Sequence, residues 1–331
     1  MPTPRRITAL AAMTLLVVSM STAHANSYTI EDLGINLDPH AINDDGVMVG
    51  SKGNQATEFW DGRWHALKFP DQDGIATAVN ARGDAVGFQG STPVIWSRFN
   101  HRRVLALPGD ATDGDAHAVS GDGTAAGNYE PVGNFDFPRC FRTLPDGTST
   151  DLGLPPDGEG CFVDGINNAG VIVGGAVIRS VNGVQAFLWR EGTMQNLGTL
   201  GGDVSEAFAI NDKGYVVGQA SIALGGDAHA FLWKRGKMKD IGASPRHSTT
   251  RAYAISDRGD IVGEGFLLKN GFPEAVRFAD SVVISLKDEV QDIGPWTLLS
   301  ATAVNNDGVI VGRGRVHGDD RLHGFLLRPA P

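Results

Sequence analysis

Ala209-Ile-Asn-Asp-Lys-Gly-Tyr-Val-Val-Gly218 is one of seven near copies of a ten-residue word, and its reading decides the fold. The others are Ala41-Ile-Asn-Asp-Asp-Gly-Val-Met-Val-Gly50, Ala78-Val-Asn-Ala-Arg-Gly-Asp-Ala-Val-Gly87, Ala118-Val-Ser-Gly-Asp-Gly-Thr-Ala-Ala-Gly127 and Gly165-Ile-Asn-Asn-Ala-Gly-Val-Ile-Val-Gly174. Ala254-Ile-Ser-Asp-Arg-Gly-Asp-Ile-Val-Gly263 and Ala303-Val-Asn-Asn-Asp-Gly-Val-Ile-Val-Gly312 complete the set. The closing glycines stand 37, 40, 47, 44, 45 and 49 residues apart. Propeller blades and some helical arrays share that period, so the contents of the word must choose. Asn or Ser, two variable residues and then Gly is a type I turn: the first side chain caps it and glycine supplies positive φ. Flanked by Ala-Ile and Val-Ile-Val, the turn closes a β-hairpin, and so many β-branched residues and glycines exclude a helix.

Each hairpin is followed by a third apolar segment, clearest in Ala186-Phe-Leu-Trp189 and Ala230-Phe-Leu-Trp233. A polar turn then leads to a fourth segment, such as Met194-Gln-Asn-Leu-Gly198 or Met238-Lys-Asp-Ile-Gly242. Four strands in each of seven units predict an all-β fold, a seven-bladed β-propeller with four-stranded blades. The last unit stops after its third strand at Phe325-Leu-Leu327, while Tyr28-Thr-Ile-Glu-Asp-Leu-Gly34 reads as an orphan fourth strand. The N-terminal strand is therefore expected to complete the last blade and close the ring, removing exposed edges at the seam. Trp60, Trp96, Trp189 and Trp233 are expected at one strand position, packed in the core.

Composition fits this reading. The 331 residues include 44 Gly, with 20 % charged and 41 % hydrophobic residues, which excludes a disordered polyampholyte and a coiled coil. A net charge of −10 argues against a nucleic-acid partner, which calls for a basic face. Residues 1–25 read as a signal peptide: Arg5 and Arg6 precede a short apolar run, Ile7 to Met20, and Ala23-His24-Ala25 suits signal peptidase. Cleavage near Ala25 leaves residues 26–331 as a single propeller domain, expected as a monomer without a membrane span, in the periplasm or outside the cell. In that oxidising space Cys140 and Cys161 are expected to form a disulfide, the other reading being two buried thiols on neighbouring strands.

The unit A-I-N-D-x-G-x-V-V-G … H-A-F-L-W … L-G resembles the extracellular HAF-repeat family of bacterial exported proteins. His229-Ala230-Phe231 is the motif that names the family, His323-Gly324-Phe325 is a near copy, and Leu197-Gly-Thr-Leu-Gly-Gly202 is similar to its Gly-rich linker. The resemblance covers about residues 28–328 and implies export and a propeller-like repeat, with no activity attached. Blade 3, with Arg139-Cys-Phe-Arg142, and blade 6, with Glu274-Ala-Val-Arg277, depart from the aromatic third strand.

No nucleophile elbow, phosphate loop, zinc pattern or cofactor motif is present. Asp71-Gln-Asp73 and Asp113-Gly-Asp115 lack the further ligands of a calcium loop and read as acidic surface turns. Function is expected where the repeat varies, at the mouth of the axial channel where each first strand begins. The residue before the repeated Ala or Gly is His40, Thr77, His117, Asp164, Phe208, Tyr253 and Thr302; two positions earlier stand Asp38, Ile75, Asp115, Phe162, Glu206, Arg251 and Ser300. From these, His40, Asp115, His117, Asp164, Glu206, Arg251 and Tyr253 are the candidate ligand-binding residues. The favoured reading is a secreted binding module for a glycan, a peptide or another exported protein, with no catalytic residue assigned. The alternative is an exported hydrolase or lyase acting on a polymer, with His40, His117, Asp164 and Glu206 around the mouth.

Overall fold

The computed structural model describes residues 28–67, 73–98, 101–133 and 136–331. The export signal read at residues 1–25 lies outside them. Seven four-stranded antiparallel sheets form the ring, and the described residues contain two short 3-10 turns and no α-helix. The inner strands are Leu37–Ile42, Gly74–Val79, Gly114–Val119, Gly158–Ile166, Ser205–Ile210, His247–Ile255 and Trp296–Val304. Closure follows the sequence expectation: Tyr28–Ile35 forms the outer strand of the last blade, pairing Tyr28 with Pro329 and Ile35 with His323.

The core lies between blades. Val173 and Leu188 of blade 4, for instance, pack with Ala207, Ile210 and Phe231 of blade 5. In every blade the closing glycine of the second strand pairs with a buried third-strand residue: Thr57, Val94, Phe141, Phe187, Phe231, Val276 and Phe325. Phe141 therefore holds the same register as Phe187, and Val276 takes that place in blade 6. Blades 3 and 6 keep the pattern from which their sequences seemed to depart. The tryptophan expectation needs correction in blade 1. Trp189, Trp233 and Trp96 pair with Ile172, Val216 and Ala85, but the equivalent partner of Met48 is Phe59. Trp60 is one residue beyond, and a one-residue step turns a side chain to the other face. It is 49 % exposed, whereas Trp96 and Trp189 are buried.

Cys140, on the third strand of blade 3, and Cys161, on the first strand of blade 4, form a disulfide with Cα atoms 5.7 Å apart. The same seam is held by buried hydrogen bonds from the Val163 N–H to Asn128 Oδ1 and from Trp189 Nε1 to Leu152 O. At the narrow end of the ring, Asn43 accepts the Val47 N–H within its own turn and donates through Nδ2 to Asn80 O of the next blade. Asn80, Asn167, Asn211 and Asn305 repeat this donation to Ser120, Asn211, Ser256 and Asn43. Ser120 and Ser256 lack the amide, which leaves the seams between blades 3 and 4 and between 6 and 7 without it. A second ring, one residue further on, covers both: the Gly121 N–H donates to Asn168 Oδ1 and the Asp257 N–H to Asn306 Oδ1. The capping role of Asn was legible in the repeat; its bridging of blades was not.

Candidate functional site at the channel mouth

Each inner strand carries a β-bulge at the same place. Pro39 pairs with Gly50 and Ala41 with Val49, leaving His40 unpaired; Thr77, His117, Asp164, Phe208, Tyr253 and Thr302 occupy the equivalent positions. A bulge re-aims its extra residue, and in all seven blades that residue lines an axial channel of about 590 Å³, together with Asp38, Ile75, Phe88, Ser300 and Arg313. The closing glycine makes the bulge possible. A Cβ on Gly218 would lie 1.9 Å from Glu206 O, and Gly50, Gly87, Gly127, Gly174, Gly263 and Gly312 face the same carbonyl at 1.8–2.1 Å. The most regular residue of the repeat thus holds the most variable one in place.

Blades 2 and 7 show what a purely structural residue does at this position. Thr77 Oγ1 donates to Ala116 O of the next blade at 2.8 Å, and Thr302 Oγ1 to Pro39 O at 2.6 Å. The other five blades carry His, His, Asp, Phe and Tyr instead.

Of the residues singled out from sequence, His40, His117, Asp164 and Tyr253 line the channel directly. His117 Nε2 is 3.1 Å from Asp115 Oδ1 without hydrogen-bond alignment, and both atoms are buried and otherwise unpartnered. Asp164 Oδ2 is likewise buried without a partner. Burial, and then the nearby Glu206 charge, push the Asp164 carboxyl well above the usual carboxylate range. Glu206 is also raised by burial, partly offset by the 3.3 Å hydrogen bond from Gln219 and by the Arg251 charge. Asp38 behaves oppositely. Burial alone would raise it, but His40, at 3.8 Å, and Arg313, at 3.1 Å, outweigh that and lower it.

Arg251 is less available than its place in the sequence implied. Its guanidinium is bonded to Gln219 Oε1 at 2.9 Å and Glu264 Oε1 at 3.2 Å, and stacks over Phe266. Tyr253 Oη donates to the same Glu264 oxygen at 2.6 Å and its ring lies 5.3 Å from Phe208. Burial, followed by the Glu264 charge, raises the phenol and keeps it protonated. Sequence reasoning missed Phe88, Gln219, Glu264 and Arg313. Each directly follows a closing glycine and sits across the hairpin from the entrance residue: Phe88 faces Ile75, Gln219 Glu206, Glu264 Arg251, and Arg313 Ser300. Variation just after an otherwise fixed glycine was the available signal.

Chemically, the wall offers carboxyl, imidazole and aromatic groups with unmet hydrogen-bonding capacity. Among the described residues no group of three or more His, Cys, Asp or Glu is arranged to hold a metal ion, and no helix is long and apolar enough to cross a membrane.

No protein-family model matches the chain, and no curated protein matches it in sequence. Solved structures do resemble it in shape. A streptogramin B lyase is 12 % identical, with 91 % of this chain and 98 % of that one covered at a TM-score of 0.52. The virginiamycin B lyase of Staphylococcus aureus is 12 % identical over 90 % and 99 % of the two chains, with a TM-score of 0.51. A TolB candidate from Agrobacterium tumefaciens is 12 % identical over 81 % and 95 %, again at 0.51. At such identities the likeness shows the fold alone: the chain is a β-propeller.

Proposed function

We propose that this chain is an exported binding module of the HAF-repeat kind, with its ligand site at the channel mouth. One observation carries the reading. Five of the seven bulge positions abandon the threonine bridge used in blades 2 and 7, and two of the five, His117 and Asp164, present buried polar atoms without a hydrogen bond, His117 Nε2 having Asp115 Oδ1 at 3.1 Å out of alignment. Such atoms destabilise a fold by about 1–3 kcal/mol each, so their presence along a channel favours an outside partner that satisfies them. Among the described residues the seven blades run from Tyr28 to Pro329. The disulfide suits an oxidising compartment and so supports export.

The enzyme alternative has its own observation: His117, beside Asp115, and Asp164, whose pKa burial raises, line one cavity and could act as an acid–base set. Glycan and peptide arrays probed with the wild type and with Asp164→Asn separate the readings. Binding that is lost in the variant, with the captured molecule recovered intact by mass spectrometry, supports the module. Cleavage of the captured molecule, abolished by His117→Ala, overturns it in favour of a lyase or hydrolase. Mass spectrometry of the secreted product, starting at Asn26, tests export.

A further inference from the structure

The chemistry of the channel and the surface around it point to one class of occupant. Both arginines near the mouth are already engaged, Arg313 with Asp38 and Arg251 with Glu264. The acceptors left over are carboxyl oxygens: Asp38 Oδ1 and Asp164 Oδ2, buried and without hydrogen-bond partners, and Asp115 Oδ1, which has His117 Nε2 at 3.1 Å without hydrogen-bond alignment. Asp115, Asp164 and Glu206 sit on the adjacent blades 3, 4 and 5, with the Phe208 and Tyr253 rings beside them on blades 5 and 6. A carboxylate-rich wall next to aromatic faces suits a cationic group that donates several hydrogen bonds.

The rim supplies an independent observation. The four most exposed large apolar side chains among the described residues are Leu224, Val132, Leu268 and Phe272, at 80, 71, 62 and 60 %. Each lies in a loop joining the second and third strands of its blade, in blades 5, 3 and 6. Those loops are all at the end of the ring where the inner strands begin, the end at which the channel residues stand. Ile222 and Leu322 add two more exposed apolar residues to the same loops in blades 5 and 7. Solvent-facing apolar side chains concentrated on one face mark a protein interaction surface.

We propose that a segment of another protein docks on these apolar loop tips and inserts a basic side chain into the channel, against Asp164. This rests on the channel being the ligand site and adds the ligand's chemistry: a lysine or arginine side chain flanked by apolar residues. The charge complementarity is local: the mouth holds five carboxyl groups, Asp38, Asp115, Asp164, Glu206 and Glu264, against two arginines, and an ammonium beside Asp164 favours the ionised form that burial and Glu206 disfavour without it.

The test uses three labelled peptides, acetyl-Leu-Lys-Leu-amide and its versions with norleucine or glutamate at the centre, titrated by fluorescence anisotropy up to millimolar concentration. The lysine peptide should bind the wild type at least about tenfold more tightly than the norleucine peptide, which keeps the stem and loses the ammonium. Asp164→Asn should remove that preference, and the Leu224→Ser/Phe272→Ser pair should weaken all binding severalfold while thermal unfolding shows both variants folded. Equal binding of the lysine and norleucine peptides, or an undiminished preference in Asp164→Asn, overturns the proposal. If instead the glutamate peptide or an array glycan binds and Asp164→Asn abolishes it, the channel site stands and this assignment falls. If no probe binds in an Asp164-dependent way, both fall.

Discussion

Replacing Gly218 by alanine should be far more damaging than replacing Gly214 four residues earlier, although both are glycines of the same repeat. A Cβ at 218 would meet Glu206 O at 1.9 Å, while one at 214 would find nothing within 4 Å. Ordinary contact for a Cβ begins near 3.4 Å. The two strands must therefore part by about 1.5 Å, or the bulge must be lost. Parting them breaks the pairing of Ala207 with Gly218 and of Glu206 with Gln219. Two backbone hydrogen bonds at about 1 kcal/mol each, plus about 1–3 kcal/mol of overpacking against the Glu206 and Ala207 backbone, give a loss of about 3–5 kcal/mol. Losing the bulge would rotate Phe208 away from the channel, so binding would fall as well. Gly214 has φ +73° in open space, so Gly214→Ala should lose only about 1 kcal/mol, the strain of a side chain in the left-handed region. Urea unfolding of the two variants beside the wild type measures both. A Gly218→Ala loss no larger than that of Gly214→Ala would refute the argument that the glycine serves the bulge.

Asp164→Thr should raise stability by about 1–3 kcal/mol: it removes an unpartnered carboxyl and allows the bridge, here to Ala207 O, that Thr77 and Thr302 make in their blades. The raised pKa of Asp164, caused by burial and then by the Glu206 charge of blade 5, means that the folded state keeps a proton the unfolded chain releases above about pH 4. Wild-type stability should then fall as pH climbs from there through the raised pKa, and thermal unfolding of the variant should lack that decline. Cys140→Ser/Cys161→Ser should lose about 3 kcal/mol in thermal or urea unfolding, the value expected for a 21-residue separation. Asn168→Ala alone should lose about 1 kcal/mol, and more in the disulfide-free background, because Asn168 and the disulfide hold the same seam.

The repeat made the ring legible because every feature that builds it recurs: the Asn-capped turn, the β-branched second strand and the closing glycine. Closure by Tyr28–Ile35 could be read from a missing strand at one end and a surplus strand at the other. What could not be read were features of register. Phe59 and Trp60 are neighbours of similar character, and only the pairing with Met48 says which of them faces the core. A bulge adds one residue to a strand without changing composition, so its sole trace was the glycine opposite. The HAF histidine is a further case. His229 Nδ1 is 2.8 Å from Asp240, whose other oxygen accepts the Gly242 N–H, and His323 is paired with Asp32, which accepts that of Gly34. Arg139 and Asp151, with Gly153, repeat the arrangement in blade 3. The motif residue that names the family resemblance thus ties the third strand to the turn leaving the fourth, a structural duty away from the channel.

The division of labour along the axis bears on where selection for binding can act. At the narrow end, two staggered hydrogen-bonded rings cover all seven seams, and a change there weakens the contact between blades. At the mouth, the bulge geometry is fixed by backbone and glycine, whatever side chain the bulge residue carries. Thr77 and Thr302 show that a side chain there can serve the scaffold, and the five departures show that the scaffold does not require it. Stability alone gives no reason to exchange a bridging hydroxyl for the buried carboxyl of Asp164, which loses a hydrogen bond and leaves an oxygen unsatisfied. A partner that satisfies that oxygen does give one, since its binding free energy adds to the stability of the folded ring in proportion to how far its concentration exceeds the dissociation constant.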